Sequence, residues 1–214
     1  AIIDPYEGET PYSVLLPLLE RLTAKEEDRW FAETLAFRLG QHFKTGSPRF
    51  SIETDTSIQK VARIIFSTIP RELKEMSRVI LHHEGRYHIH ILHACAEALD
   101  NPSFTTLPHK MVLDLVKDEY EFAQRKLEQA LGNSYSLEPA SNIYNTMAMA
   151  SFKLAEVLRG QQDSTFRTQF KLALQSQENA IIGDPANGHA LSQFVRKTLE
   201  VLEKWKEEEW PLEE

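Results

Sequence analysis

Leu81 to Cys95 reads LHHEGRYHIHILHAC and carries five of the chain's eight histidines: His82, His83, His88, His90 and His93. Imidazoles at that density can ligate a metal, exchange protons near neutral pH or hold an anion. At about 100° per residue a helix through this segment divides into two faces. Ile80, Tyr87, Ile91, Ala94, Cys95 and Ala98 make an apolar side, and His83, Arg86, His90, His93 and Glu97 make a polar stripe, with His82 at its flank. His90, His93 and Glu97 fall at i, i+3 and i+7, so two imidazoles and a carboxylate share one line, a donor set for a divalent transition metal such as zinc, iron or manganese. His83 lies roughly 10 Å further along the helix, too far to share that ion. A fourth ligand would come from elsewhere, with His109, His42 or a distant carboxylate as candidates. The leading reading makes these histidines surface and interface residues of a helix that packs on one side; a third makes His83, Arg86, His90 and His93 a recognition stripe whose guanidinium and imidazole edges bind a carboxylate, a phosphate or a peptide backbone. Glu84 and His88, at i and i+4, lean towards the apolar side and are expected to form a pH-sensitive pair in which the carboxylate favours the charged imidazole.

Other chemistries find no support. His83-Glu84-Gly85-Arg86-Tyr87-His88 has one residue too many for H-E-x-x-H, which needs both histidines on one helix face, whereas His83 and His88 fall about 140° apart. No Glu-x-x-His pair exists for a carboxylate-bridged di-iron bundle. Phosphate-cradling glycine loops and the G-x-S-x-G elbow are also missing. Cys95 follows His93 by two residues, so the two point apart on a helix and the thiol faces the core. No catalytic residue is assigned, and the chain is expected to be non-enzymatic.

Composition narrows the partners. A net charge of −8 over 214 residues opposes general nucleic-acid binding, which needs cations to neutralise phosphates, and opposes attachment to an anionic membrane surface. One cysteine excludes an internal disulfide and fits a reducing, cytoplasmic setting. The longest apolar run, Val14 to Leu19, is interrupted by Pro17 and too short to span a bilayer. The first residue is Ala rather than Met, which would suit a processed chain or part of a larger protein.

The elements that would position the histidines read as helices throughout. Residues 1–12 form an extended lead-in and Ser13 to Leu22 a short apolar helix. Thr23-Ala24-Lys25-Glu26 fits a capping box opening a helix with Phe31, Leu35 and Leu39 on one stripe, anchored by Trp30. A loop follows at Lys44 to Pro48, then a possible strand at Phe50 to Thr56. Ser57 to Thr68 is helical, and Pro70, as an N1 proline, opens one long helix to Leu99, or two joined near Gly85. Further helices are expected at His109 to Leu131, with Val112, Val116, Ala123, Leu127 and Ala130 inward, then at Ala140 to Leu158, Thr165 to Ile182 and Gly188 to Glu208. Met147 and Met149 read as core or near-core, while Trp205 and Trp210, in the acidic tail, are harder to bury. That tail is a solvated end or an aromatic-acidic docking segment.

Two stretches align at an offset of 50 residues: Ala98 on Ala148, Tyr120 on Phe170, Ala123 on Ala173, Ala130 on Ala180 and Leu131 on Ile181. Small residues seven apart let antiparallel helices approach closely. With Asp184-Pro185 following Ala180, the last unit resembles the end of a tetratricopeptide (TPR) repeat, with Tyr144, Met147 and Ala148 at first-helix positions. Irregular helices leading into degenerate repeats are also similar to the helical regulatory regions of STAND-type signalling ATPases. The resulting expectation is an all-α protein: an N-terminal helical subdomain over 1–69 and stacked TPR-like hairpins over 70–214. Its function would be a protein- or peptide-binding regulatory module of a larger soluble protein, without cofactor. The alternative is a metal-binding sensor or hydrolase-like protein using His90, His93 and Glu97.

Overall fold

The structure, a computed structural model, describes residues 17–23, 25–44, 50–53, 56–133 and 138–205, with the side chains at 42–44, 57, 202 and 204 excepted. The lead-in, the start of the first short helix, residues 45–48 of the expected loop, the His42 side chain and Trp210 lie outside these residues.

Helix α1 (Glu26–Lys44) begins without the expected capping box. The backbone N–H and hydroxyl of Thr23 both donate to Oδ2 of Asp28, at 2.7 and 2.5 Å, and those bonds hold the Asp28 carboxyl below its ordinary range. Glu26 instead pairs with Arg29 at 3.3 Å. The buried face of α1 is Ala32, Leu35, Ala36 and Leu39, while Phe31 is 38% and Trp30 71% exposed. Small residues on that face bring the helix close to its neighbour, and the expected Trp30 anchor points away from it.

A capping box does form at helix α2 (Ser57–Thr68), where Thr56 and Gln59 cap one another. Gln59 also grips Ser51, accepting its N–H at 2.8 Å and donating to its carbonyl at 2.7 Å. Residues 50–53 are therefore irregular backbone satisfied by a side chain, not the expected strand, and no strand occurs among the described residues. Pro70 is the N-cap of a short helix, α3 (Arg71–Glu75), rather than its N1 residue.

The long histidine helix, α4 (Arg78–Asp100), starts at Ser77, whose hydroxyl accepts the N–H of Ile80 and donates to Glu33 of α1 at 2.7 Å. The expected joint at Gly85 does not exist. Gly85 sits inside a continuous helix because helix α5 (His109–Gly132) crosses there; a Cβ at that position would lie 2.9 Å from Leu127. Asn101 closes α4 and caps the short 3₁₀ turn Pro102–Phe104.

Helices α6 (Ala140–Gly160) and α7 (Phe166–Gly183) form a second antiparallel pair beside α4 and α5, and α8 (Gly188–Lys204) rests on α7 and α6. The alanines at heptad spacing sit in these contacts: Ala123, Ala130, Ala148, Ala173 and Ala180 are fully buried. The fold is all-α. One apolar cluster joins residues of α1, α2 and α3 to Ile80 and Tyr87, so the core that begins near the N-terminus continues into α4. A second joins the end of α4 to α5, α6 and α7. It takes in Trp205, which is buried against Phe166 and Phe170 with the Arg159 guanidinium 5.1 Å above its ring, contrary to the expectation from its acidic surroundings. No helix among the described residues is long and apolar enough to cross a membrane.

Candidate functional site

Helices α1, α4, α6 and α8 face one another across a cavity of about 560 Å³. Each supplies side chains at helical spacing. Phe37 and Gln41 come from α1, Asn142, Asn145, Thr146 and Met149 from α6, and His189 and Gln193 from α8, while Glu138 enters just before α6. The wall from α4 is His82, His83, Arg86, Ile89, His90 and His93. All four residues of the expected recognition stripe thus line a single cavity.

His82, placed at the flank by sequence reasoning, is buried in the wall. Its Nε2 lies 2.9 Å from the hydroxyl of Thr146, which spends its proton on the Asn142 carbonyl at 2.8 Å, so Nε2–H is the donor. Its Nδ1 lies 3.0 Å from Oε1 of Glu138, which also accepts from Asn142 Nδ2 at 3.0 Å. Burial pushes the Glu138 carboxyl up, but the contact with His82, its charge and the Asn142 amide outweigh burial and hold the carboxyl below its ordinary range. With Nε2 committed as donor and a carboxylate at Nδ1, the geometry is satisfied by an imidazolium or by a cation between Nδ1 and the carboxylate.

His83 stacks on His82 with ring centroids 5.2 Å apart and meets the edge of Phe37 at 5.8 Å. Its ring lies over Gly40 of α1. Among the described residues, one nitrogen from each of His82 and His83 and one oxygen of Glu138 lie within 4.8 Å of one another. The expected metal set does not assemble: His90 and His93 turn into the cavity, while Glu97 is exposed and outside it.

His90 stacks on Phe50 at 5.3 Å. Burial, then the charge of Arg86 and the proximity of His93, push it down to about 3. Burial also pushes His93 down to about 4, with Lys153 and Lys197 lowering it and Glu156 opposing. At neutral pH each is a neutral ring offering one donor and one acceptor. Arg86 stands one turn before His90 on the same wall. Burial lowers its pKa and Glu138 opposes that shift, but its guanidinium makes no hydrogen bond or close ion pair with a described residue.

Glu84 and His88 do not pair. Helix α5 lies along that side of α4 and supplies better partners: Lys126 reaches Glu84 at 3.1 Å, with Lys74 of α3 at 3.5 Å. Glu119 meets His88 Nδ1 at 2.7 Å, with Phe122 stacked on the imidazole. Cys95 is buried and its thiol is pushed up to about 12, chiefly by burial, which keeps it protonated. Met147 packs against the core, whereas Met149 reaches the cavity.

Sequence reasoning missed His82, Glu138, His189 and the carboxamides. For His82 the signal was present: His82, Arg86, His90 and His93 fall at i, i+4, i+8 and i+11, a single line on a helix. For Glu138, His189 and Gln193 none was, because their place depends on how hairpins stack. No family model, curated protein or solved structure matches the chain.

Proposed function

We propose that the chain is a non-enzymatic interaction module and that its cavity receives a peptide segment of a protein partner through a carboxylate held by Arg86. The observation that carries this reading is the Arg86 guanidinium itself. It lies half-buried in the cavity wall, with no described residue bonding it. A buried charge without a partner is costly, and a bidentate carboxylate relieves that cost. Neutral His90 and His93 follow Arg86 along the same wall without repelling an anion strongly, and each can donate one hydrogen bond. Gln41, Asn145 and Gln193 add carboxamides, which match the alternating donors and acceptors of a peptide backbone. The volume falls in the range of about 300–1,000 Å³ usual for ligand pockets.

Two antiparallel helix pairs with buried alanines at heptad spacing support reading the chain as a TPR-like array, whose inner helices present the binding surface. With a single buried cysteine, the cytoplasm is the proposed location, and a regulatory region of a larger signalling protein is the proposed setting.

The test is titration calorimetry with a panel of short peptides carrying a free C-terminal carboxylate, beside the same peptides amidated. Free-carboxylate peptides should bind, amidation should weaken binding at least tenfold, and Arg86→Gln should do the same. Binding that ignores both amidation and Arg86→Gln, or no binding by any peptide, rejects the proposal.

A further inference from the structure

His82, His83 and Glu138 hold a second chemistry in the wall of the same cavity. We propose that these three residues form a binding site for a divalent transition metal of the zinc class, with the remaining coordination position open to the cavity. The proposal does not depend on the peptide reading: that reading is carried by the Arg86 guanidinium, which is not among the three ligands.

Two imidazoles and a carboxylate are the donor set of zinc sites that keep one position for water or ligand. Tetrahedral zinc, with bonds of about 2.0–2.2 Å, separates its ligand atoms by roughly 3.3 Å. The Nδ1 of His82 and Oε1 of Glu138 stand 3.0 Å apart, and one nitrogen from each histidine and one Glu138 oxygen lie within 4.8 Å of one another, so zinc would draw the group together by about an ångström or more.

The surroundings are those of a built site. A ligating imidazole usually donates its other N–H to a fixed acceptor, which sets tautomer and orientation. Here Nε2–H of His82 is fixed on Thr146, itself fixed on Asn142, leaving Nδ1 directed at Glu138. The Glu138 carboxylate is steadied by Asn142, and its backbone carbonyl by Arg78 Nη1 at 3.1 Å. His83 is held by Phe37 and the bare backbone of Gly40. A cation between Nδ1 and the carboxylate would take the place that a proton on His82 otherwise fills.

The test uses the whole chain and zinc alone. Dialysis and elemental analysis should find one equivalent bound, with a raised melting temperature that chelator reverses. His82→Asn and Glu138→Gln should each remove it, while His93→Asn and Glu97→Gln should leave it within about twofold. Thr146→Val, which supplies no ligand atom but removes the hydroxyl that fixes the His82 ring, should weaken binding by about 10- to 100-fold. A readout in the unmutated protein guards against misfolded variants: zinc should shift the NMR ring resonances of His82 and His83 more than those of His90 and His93. The absence of stoichiometric zinc overturns the proposal. So does zinc retained in Glu138→Gln, or a shift confined to His90 and His93. Failure of peptide binding with zinc binding intact would reject only the interaction reading.

Discussion

A β-carbon placed on Gly40 would lie 2.1 Å from Nδ1 of His83. The glycine is not needed for its backbone conformation, since it sits within α1; it is needed because the imidazole occupies the space a side chain would take. It therefore sets the approach of α1 to α4 and the position of one cavity-lining ring. Gly40→Ala should force His83 out of place or push α1 outwards, at a cost of about 1–3 kcal/mol for overpacking, despite alanine's better helix propensity. Urea denaturation measures the loss, and the His83 ring resonances report the displacement. Equal or greater stability with His83 unmoved would show that the contact is not constraining.

Arg78 fastens the backbone that leads from α5 into Glu138. Its Nε donates to the Ala130 carbonyl at 3.0 Å, Nη1 to the Glu138 carbonyl at 3.1 Å, and Nη2 to the Asn133 carbonyl. One planar fork thus satisfies the end of α5 and fixes the residue that carries the Glu138 carboxylate. A lysine has the charge but not the fork. Arg78→Lys should lose at least one charge-assisted bond, about 2 kcal/mol, and loosen the approach to α6. Faster hydrogen exchange at 130–133, with lowered stability, is the expected result; an unchanged exchange profile would count against the clamp.

Helix positions were legible because their signals are local. The inward residues of α5 read from the sequence are the ones found buried, since heptad spacing alone defines that face. The stripe His83, Arg86, His90 and His93 was legible for the same reason. What failed was pairing. Glu84 and His88 were matched by their spacing on one helix, yet Lys126 and Glu119 arrive from α5, and no periodicity says which charges a neighbouring helix brings. The apparent strand failed because Gln59 satisfies the Ser51 backbone. Trp30 and Trp205 were misplaced by hydrophobicity and by local charge respectively, whereas burial follows the face each residue occupies.

Gln177 of α7 is fully buried and its Nε2 donates to Asn145 Oδ1 at 3.1 Å and to the Ala190 carbonyl at 2.8 Å, binding α7 to both α6 and α8. Gln177→Leu keeps the bulk but leaves those two buried acceptors without that donor. The expected loss is about 1–3 kcal/mol, concentrated at α8, where amide exchange should accelerate. Because Asn145 and Gln193 line the cavity, peptide affinity should fall as well. Uniform exchange across all helices would mean that Gln177 contributes only general packing.

Acid should destabilise the protein through the cavity wall before it reaches the carboxylates. Several charged groups face His90 and His93: Arg86 from α4 itself, Lys153 and Glu156 from α6, and Lys197 from α8, with Lys153 and Lys197 both opposing protonation of His93. Both histidines have folded pKa values, about 3 and about 4, below the ordinary 6.5. A base whose pKa is depressed by folding binds protons more readily when unfolded. Its contribution is therefore fully present above pH 6.5 and is lost as pH falls towards the folded value. Carboxylates held low in the folded state, such as Glu138, add a loss of the same sign that begins only below about their ordinary 4.5. The interval from pH 6.5 to 5 isolates the histidines. Stability by chemical denaturation should decline across it, and the double change His90→Gln, His93→Gln should flatten that decline while leaving the steeper loss below pH 4.5. An equally steep decline in the double variant would place the titrating groups elsewhere.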